Sequence, residues 1–475
     1  MEKNNVPEFA ILGHPNEGKS SVVSTLAEDD TVVISPFPGE TVHCRVFPVT
    51  IDGVDIIRFV DTPGFQNPQK TLAWMKTFTG PGTLLVHSFC DVHRNAEAFR
   101  DECELLSPIE RGAGIIYVVD GSRPLRKNDI AEMEILRLTG QPRMAIINCK
   151  QEEEGYLNEW KIEMRKHFNF VSMFNAHQAT YVERIDLLES LKRIDPDWQR
   201  PLEQVILAFK TDWQRRNRVT AEAICAMLKN CLTHDISEKY SDRSQVTSIK
   251  QRLLDQYKKE IAKIEAKAHG EIKKLFKHNI FNPELPPQSI LNEDLFNERT
   301  WRLLGLRPGQ LALAAGIAGG LIGAKLDFMT AGLAFGVFTT IGGAIGAGSV
   351  LLGGEHMARS RVGGIKLGKL NIKVGPNENI QFLYILLDRA LIYYTHIIHW
   401  AHSRRDSVTS TLSEKNIKMG MTSHWHEKER KICALFFRAL RGKDSRKITD
   451  AGSSLTVLLE SVLTDLSHKS PGAAV

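Results

Sequence analysis

Cysteine is scarce in this chain, and no two cysteines form a close pair. There are seven cysteines, and none belongs to a C-x-x-C motif. This usage argues against a disulfide framework and is typical of the reducing cytosol. Residues 1–8 are mostly polar and contain no apolar run, so no secretory signal is predicted. With 475 residues, the chain is long enough for about two or three domains.

Excess charge is small over the whole chain but concentrated at one end. The formal net charge is +5, whereas residues 355–475 contain 19 Lys and Arg against 11 Asp and Glu, a net charge of +8. The remaining residues therefore carry a net charge of −3. A basic C-terminal region indicates a polyanionic partner or an anionic membrane surface.

A glycine-containing loop near the N-terminus has the pattern G-x-x-x-x-G-K-[ST], at Gly13–Ser20. An apolar run, Phe9–Leu12, precedes the loop and predicts a buried strand, and a helix is predicted to follow. Glycine lets successive backbone N–H groups turn toward phosphate oxygens, and the helix N-terminus favours an anion. Lys19 would reach the β- and γ-phosphates, and Ser20 would hold Mg²⁺. The predicted nucleotide-binding residues of this loop are Asn16, Glu17, Gly18, Lys19, Ser20 and Ser21.

Two later segments supply the other groups that phosphate chemistry needs. Thr41 lies in a loop rich in proline and glycine, where it could ligate Mg²⁺ and sense the γ-phosphate. The sequence Asp61-Thr62-Pro63-Gly64 follows a predicted strand, which would place the carboxylate beside the phosphate loop. The predicted metal ligands are Ser20, Thr41 and Asp61, and the predicted catalytic groups are Lys19, Thr41 and the Gly64 N–H.

Together these motifs resemble the P-loop GTPases of the Era/TrmE type. The resemblance implies an α/β domain with a mainly parallel sheet, GTP and GDP as ligands, Mg²⁺ as cofactor, and slow hydrolysis of GTP. In that group the loop asparagine can help to bind K⁺, so Asn16 is a candidate K⁺ ligand; alternatively, it only fixes the shape of the loop. Phe65 stands where some relatives have a water-orienting glutamine, and no side-chain base is evident.

The segment where the family has its guanine motif, N-K-x-D, is degenerate. Asn148 matches, Cys149 and Gln151 replace the lysine and the aspartate, and Lys150 lies one position late. The following run of three glutamates, 152–154, could supply the missing carboxylate. Asn175 and Ala176 resemble part of the family's S-A-K base loop. The predicted base contacts are Asn148, Lys150, Asn175 and Ala176, with weakened selectivity for guanine over adenine.

Residues 66–111 are longer than a minimal second switch segment. Within them, His87, Cys90 and His93 recur at a spacing of three, and Cys103 follows. Such a set could face a metal ion. We favour packing histidines on an inserted helix, because no second close ligand pair is present.

The second half of the chain is predicted to be mostly α-helical. Residues 203–241 and 245–278 have helical periodicity, which indicates either a long amphipathic or coiled-coil helix, suited to a protein partner or to self-association, or a helix of a bundle. The sequence predicts four parts: a GTP-binding domain at 1–197, a helical region at 198–304, a glycine-rich hairpin at 305–354 and a basic, mostly helical region at 355–475.

The glycine-rich stretch Leu311–Gly354 is interrupted by only two charges, at Lys325 and Asp327. Glycines recur four residues apart, a spacing that lets helices approach closely in lipid. Its first arm is too short to span a bilayer, which needs about 20 apolar residues, and its second arm is long enough. The stretch is predicted to be either a hairpin that inserts part-way into a membrane or a buried hairpin of a soluble domain.

These predictions favour a GTPase switch at the cytoplasmic face of a membrane, bound peripherally or by insertion. One alternative is an RNA- or ribosome-associated assembly GTPase; nucleic acid is the less favoured partner because no RNA-binding module is recognisable. A second alternative is a nucleotide-gated scaffold with little turnover. The second half resembles the uncharacterised C-terminal domain attached to such a GTPase in some bacterial proteins.

Overall fold

A computed structural model describes residues 6–27, 43–51, 53–148, 155–174, 181–240, 245–276, 285, 289–318, 361–362, 365–366, 370–398, 420–442 and 444–468. These residues divide into two compact units, and the division falls between Gln214 and Arg215, inside a long helix. The helix begins at Pro196, where the sequence predicts a domain boundary. The four predicted parts remain predictions.

The first unit is built on a six-stranded sheet. Its strand order is β2-β3-β1-β4-β5-β6; β2 is antiparallel to β3, and the other pairs are parallel. This architecture confirms the predicted α/β fold with a mainly parallel sheet. The strands are β1 (Glu8–Leu12), β2 (Arg45–Ile51), β3 (Val54–Asp61), β4 (Gly114–Asp120), β5 (Arg143–Asn148) and β6 (Phe170–Phe174).

Seven helices and the start of an eighth cover both faces of this sheet. Because both faces are covered, the central strands are continuous apolar runs, as in β4. α1, α7 and the start of α8 pack on one face, and α2 to α6 pack on the other. The helices are α1 (Lys19–Ala27), α2 (Pro68–Thr77), α3 (Leu85–His93), α4 (Arg100–Glu110), α5 (Lys127–Leu138), α6 (Leu157–Met164), α7 (Tyr181–Lys192) and α8 (Pro196–Thr233).

The strand register gathers polar groups at one edge of the sheet. Ile11 of β1 pairs with Asp61 of β3, and Asp120 of β4 pairs with Asn148 of β5. The carboxyl ends of parallel strands lie at the same edge, where open α/β sheets bind ligands. The loop that follows β1 therefore lies beside Asp61.

The second unit is mostly helical, as the sequence predicts. Two strands, β7 (Ile236–Tyr240) and β10 (Leu370–Val374), pair antiparallel, and two-residue strands form β8 (Arg361–Val362) and β9 (Ile365–Lys366). The helix predicted over 203–241 is therefore too long at its end, because Ile236–Tyr240 alternate in exposure as a strand does. The helices after α8 are α9 (Val246–Leu275), α10 (Glu298–Leu303), α11 (Pro308–Ile317), α12 (Ile380–Ile398), α13 (Glu427–Arg441) and α14 (Ser445–Ser467).

Helix α12 carries a fully buried carboxylate, Asp388. Its two oxygens accept the backbone N–H groups of Gly305, at 2.6 Å, and Thr422, at 2.7 Å. Asp388 thus joins the segment that leads into α11 to the segment that leads into α13. Burial raises the pKa of Asp388 to about 6, although both hydrogen bonds act to lower it.

The raised pKa of Asp388 predicts a pH-dependent stability. Between its usual pKa of 3.8 and about 6, the folded chain binds this proton more tightly than the unfolded chain does, so stability rises as the pH falls through 6. Between pH 7 and pH 5, wild type is expected to gain about 1 kcal/mol of unfolding free energy relative to Asp388→Asn. Urea denaturation at the two pH values measures this difference, and an equal difference at both would contradict it.

Candidate phosphate-binding site

The loop between β1 and α1 has the backbone that its sequence pattern predicts. Gly13 has a φ of +143°, and a Cβ atom placed there would lie 2.2 Å from the Val118 carbonyl oxygen of β4. Gly18 has a φ of +94°, and Asn16 has a φ of +67°. Asparagine is among the few residues that tolerate this left-handed region. Asn16 therefore contributes to the shape of the loop, which is one of the two roles that the sequence allows.

Lys19 is buried inside this loop. Its ammonium donates hydrogen bonds to the carbonyl oxygens of Gly13, at 3.2 Å, and His14, at 3.1 Å. Burial lowers the pKa of Lys19, and the charges of Asp61, Glu132 and Glu17 oppose this lowering. A phosphate bound in the loop would add negative charge beside the ammonium and favour its charged form.

Ser20 and Asp61 meet directly. The Ser20 hydroxyl donates a 2.7 Å hydrogen bond to Asp61 Oδ2, and the Asp61 side chain is buried. Thr62 fixes this segment by donating its hydroxyl to the Ile11 carbonyl at 2.7 Å. A hydroxyl and a carboxylate are oxygen ligands of the kind that Mg²⁺ prefers, so this pair fits the predicted metal site. Thr41, the third predicted ligand, lies outside the described residues.

The segment after Asp61 approaches the loop closely. A Cβ atom on Gly64 would lie 2.5 Å from the Pro15 ring, so glycine is required for this approach. Phe65 is fully buried and packs in the cluster under α2, α3 and α4. Its side chain thus anchors the segment in the core, which explains an apolar residue at this position.

The Glu17 side chain is bound behind the phosphate loop. The sequence places Glu17 among the nucleotide-binding residues, but its carboxylate is buried and already bound. Oε1 accepts the Arg123 Nε hydrogen at 2.7 Å, and Oε2 accepts the Asp120 backbone N–H. Burial raises the pKa of Glu17, and Arg123 opposes this rise. The predicted phosphate contact of Glu17 therefore rests on its backbone N–H group rather than on this side chain.

Asn148, a predicted base contact, is hydrogen-bonded to the phosphate loop. Its side-chain amide donates to the Glu17 carbonyl oxygen at 3.1 Å, and the residue is fully buried. Asn148 therefore ties the end of β5 to the phosphate loop, and its contact with a base stays a prediction. Of the other predicted nucleotide contacts, Ser21 is buried in the first turn of α1, and Lys150, Asn175 and Ala176 lie outside the described residues.

Sequence reasoning missed two buried networks behind the loop. Arg123 bridges Glu17 to Asp129 of α5, with both guanidinium–Asp129 contacts at 2.7 Å. Separately, Glu132 of α5 accepts the Tyr117 hydroxyl at 2.9 Å and lies 3.2 Å from His14 Nδ1. A carboxylate in the middle of an otherwise core-forming helix was the available signal for the second network.

Removal of Arg123 is expected to loosen the first network. Arg123→Ala leaves the buried carboxylates of Glu17 and Asp129 without their shared cation, and loss of one partner of a buried ion pair costs about 3 kcal/mol or more. We therefore expect unfolding of the first unit to move to lower urea concentration. The matched variant is Arg94→Ala, because Arg94 pairs with Asp91 on the surface and such pairs contribute about 0–1 kcal/mol. Equal effects of the two variants would contradict this account.

The histidine–cysteine set on α3 packs against other side chains. His87 binds Glu110 at 2.6 Å, and His93 contacts the rings of Trp74, Phe89 and Phe99. Across the part of the chain that the structure describes, no three His, Cys, Asp or Glu side chains are grouped to hold a metal. In the sequence, His396, His399 and His402 also recur at a spacing of three, and His399 and His402 lie outside the described residues.

Comparison with known proteins agrees with this geometry. Residues 8–149 match the family described as 50S ribosome-binding GTPase. GTPase Der of Psychrobacter cryohalolentis is 26% identical over 177 residues, which cover 36% of this chain and 32% of that protein. GTPase Der of Listeria welshimeri is 23% identical over 168 residues, which cover 35% of this chain and 33% of that protein. The chain thus spans about a third of these curated relatives.

Among solved structures, Aquifex aeolicus Era bound to GDP.AlF4- is 16% identical, covers 56% of this chain and 88% of that chain, and has a TM-score of 0.27. Era in complex with MgGDPNP and part of 16S ribosomal RNA is also 16% identical, covers 57% and 89%, and has a TM-score of 0.28. These scores are too low to support an argument about function.

A phosphate loop with a buried lysine, a Ser–Asp pair beside it and this sheet order define the first domain as that of a P-loop GTPase. Residues 162–457 match the domain of unknown function DUF3482, which is more than half of the chain. The chain belongs to the DUF3482 family and joins that domain to a P-loop GTPase domain.

Proposed function

We propose that this protein is a Mg²⁺-dependent GTPase switch that acts at the cytoplasmic face of a membrane. The observation that supports the catalytic part is the convergence of the Lys19 ammonium, the Ser20 hydroxyl and the Asp61 carboxylate at one sheet edge. An ammonium, a hydroxyl and a carboxylate of this kind hold the phosphates and Mg²⁺ during in-line attack of water on a γ-phosphate.

Each residue has one role in the proposed reaction. Lys19 neutralises charge that develops on the β- and γ-phosphates, and the Gly64 N–H contacts the γ-phosphate. Ser20, Asp61 and Thr41 hold Mg²⁺, which supplies further charge neutralisation when bound. Since no side-chain base is evident among the described residues and Phe65 is buried in the core, we expect slow turnover.

The proposed base preference is guanine over adenine, by less than in relatives with an intact motif. Gln151 stands in the position of the aspartate that accepts two hydrogen bonds from guanine. A buried donor left unpaired loses about 1–3 kcal/mol, or roughly one to two decades of selectivity. Competition of GTP and ATP for the site measures this preference, and Gln151→Asp should sharpen it. Equal selectivity of the two proteins would show that another acceptor exists, for example Glu152.

The proposed role of K⁺ rests on Asn16 and can be separated from the shape of the loop. Because Asn16 has a φ of +67°, Asn16→Gly keeps the backbone accessible while it removes the side-chain oxygen. We expect wild type to hydrolyse GTP faster in K⁺ than in Na⁺ at matched ionic strength, and Asn16→Gly to lose this difference while it keeps nucleotide affinity. Equal wild-type rates in the two salts would contradict a role of Asn16 as a K⁺ ligand.

The membrane proposal is supported by the start of the glycine-rich stretch. Helix α11 is uncharged, and its Leu313 side chain is 63% exposed. The sequence continues without charge to Ala324, and residues 328–354 are also uncharged. Beyond them, Arg359, Arg361, Lys366 and Lys369 would attract anionic headgroups by up to about 1 kcal/mol each. Among the described residues, no helix is long and apolar enough to cross a membrane, and 319–354 lie outside them.

Flotation with liposomes tests this proposal. The purified chain is expected to float with anionic liposomes, to float less with neutral ones, and to differ between GTP and GDP. Leu313→Glu places a charge on the exposed face of α11 and should abolish flotation. Val457→Glu is the matched control, since Val457 is a similarly exposed apolar residue of α14, 68% exposed. No flotation in either nucleotide state would contradict the membrane proposal.

A ribosome-associated role is the second candidate. It is supported by the description of the family that matches residues 8–149 and by the basic C-terminal region. Co-sedimentation with ribosomal subunits in the presence of a GTP analogue, without flotation, would favour it. A protein partner bound through α9, or self-association, is a further proposal for the helical region.

A further inference from the structure

Helix α4 lies beside the two segments expected to sense the nucleotide: the segment that enters β2 and the segment that leaves β3. β2 and β3 are antiparallel, and the first residue of β2, Arg45, pairs with the last residue of β3, Asp61. The chain that follows Thr41 therefore enters the sheet beside the point where the Asp61–Gly64 segment leaves it. α4 contacts both segments, each through a different glutamate.

Glu104 holds the segment that enters β2. Its Oε1 accepts the Cys44 backbone N–H at 2.8 Å, and its carbonyl oxygen accepts the Cys44 thiol at 3.2 Å. That carbonyl is free within the helix because residue 108 is proline, which has no N–H to donate to the residue four positions before it. Burial raises the pKa of Cys44 to about 12, so the thiol keeps its proton.

Glu102 holds the segment that follows Gly64. The residue is fully buried, and its Oε1 accepts the backbone N–H groups of Gln66, at 2.8 Å, and Asn67. Its other oxygen, Oε2, is buried and has no hydrogen-bond partner among the described residues. This carboxylate is therefore committed to the Gln66–Asn67 backbone, only two residues beyond the Gly64 N–H.

The remainder of α4 is fixed in the core. Leu105, Leu106 and Ile109 are buried in the cluster on that face of the sheet. At the end of the helix, the Arg111 guanidinium binds Glu8 of β1 at 2.9 Å. One end of α4 is thus anchored to the sheet, while its first two turns are bound to both switch segments.

We propose that α4 couples the two switch segments, with Glu104 positioning the segment after Thr41 and Glu102 positioning the segment after Gly64. This inference rests on the proposed function. A γ-phosphate that draws Thr41 and Gly64 toward Mg²⁺ and the phosphate loop pulls on Cys44 and on Gln66–Asn67, and both pulls act on the same helix. The position of α4 then depends on which nucleotide is bound.

Amide hydrogen exchange of the full chain tests the coupling. Exchange is compared with saturating Mg²⁺–GDP and with the Mg²⁺ complex of a non-hydrolysable GTP analogue, in peptides that cover 43–51, 64–78 and 100–110. In wild type we expect all three peptides to respond to the nucleotide. In Glu104→Ala, and in Glu102→Leu, which has a similar size but no oxygen to accept the Gln66 and Asn67 N–H groups, the response of 100–110 should fall several-fold. The GDP dissociation constant should stay within about twofold, and kcat should fall about tenfold or more, the effect of losing at least one hydrogen bond to a charged group.

Two further variants separate coupling from general damage to the helix. Pro108→Ala restores a helical N–H that competes for the Glu104 carbonyl, so it should weaken the response of 100–110 without removing either glutamate. Asp101→Asn removes a charge from the same turn, and Asp101 has no hydrogen bond or ion pair among the residues described; this variant should behave as wild type.

The possible outcomes are distinct. If 43–51 and 64–78 respond in wild type and 100–110 does not, the coupling is wrong and the proposed GTPase function stands. The same holds if the two glutamate variants respond as wild type does. If wild type binds neither nucleotide, the proposed function fails and the coupling fails with it.

Discussion

Replacement of Lys19 by alanine is expected to lower the affinity for GTP by about 2–4 kcal/mol, or roughly 30- to 1000-fold. The ammonium lies within the loop, beside the carbonyl oxygens of Gly13 and His14. Lys19 is the only lysine of Gly13–Ser20, so its removal takes away the loop's one ammonium for a bound phosphate. We expect Lys19→Ala to fold. Burial lowers the pKa of Lys19, which shows that a buried ammonium without a bound anion is unfavourable, so its removal should not destabilise the domain.

Isothermal titration of GTP into the two proteins measures this effect. Lys127→Ala is the matched control, since Lys127 is an exposed lysine at the start of α5 in the same domain. It removes the same charge and should leave the affinity unchanged. An unaltered affinity in Lys19→Ala would contradict the assignment of the phosphate loop.

The second large effect is expected in the other unit, at the ion pair between Arg389 of α12 and Glu265 of α9. Both side chains are buried, and the guanidinium binds the carboxylate in a bidentate manner at 2.6 and 3.0 Å. Arg389 also donates to the carbonyl oxygens of Ile290, Leu291 and Glu293. The pair therefore joins two long helices to the segment between α9 and α10.

Glu265→Ala leaves this guanidinium buried without its counter-charge, and we expect a loss of about 3–5 kcal/mol of unfolding free energy. Urea denaturation followed by circular dichroism measures the loss. Glu271→Ala, at an exposed position of the same helix, should change it by less than about 0.5 kcal/mol. The double variant Glu265→Leu with Arg389→Met should recover only part of the loss, because it removes the unpaired charge but leaves the carbonyl oxygens of Ile290, Leu291 and Glu293 without their donor. A mild effect of Glu265→Ala would show that water reaches the pair.

Much of the first domain follows from local sequence. The phosphate loop is recognisable because backbone geometry restricts Gly13 and Gly18, and chemistry restricts Lys19 and Ser20. The central strands are recognisable because their two covered faces require continuous apolar runs, as in Gly114–Asp120. These features depend on residues that are neighbours in the chain.

The contacts that sequence did not predict join residues far apart in the chain. Glu17 binds Arg123, and Glu104 binds Cys44, so neither pairing leaves a local pattern. The strand Ile236–Tyr240 escaped prediction because its partner, Leu370–Val374, lies more than a hundred residues later. In each case the hydrogen-bond partner lies far away in the sequence, so a short sequence segment does not predict the contact.

The most direct test of the central claim is release of inorganic phosphate from GTP by the 475-residue chain. We predict Mg²⁺-dependent release that is lost with a chelator and in Lys19→Ala, and that is slower with ATP than with GTP. Absence of phosphate release from GTP in the presence of Mg²⁺ and K⁺, or equal release by wild type and Lys19→Ala, would contradict the proposal that this chain is a GTP-hydrolysing switch.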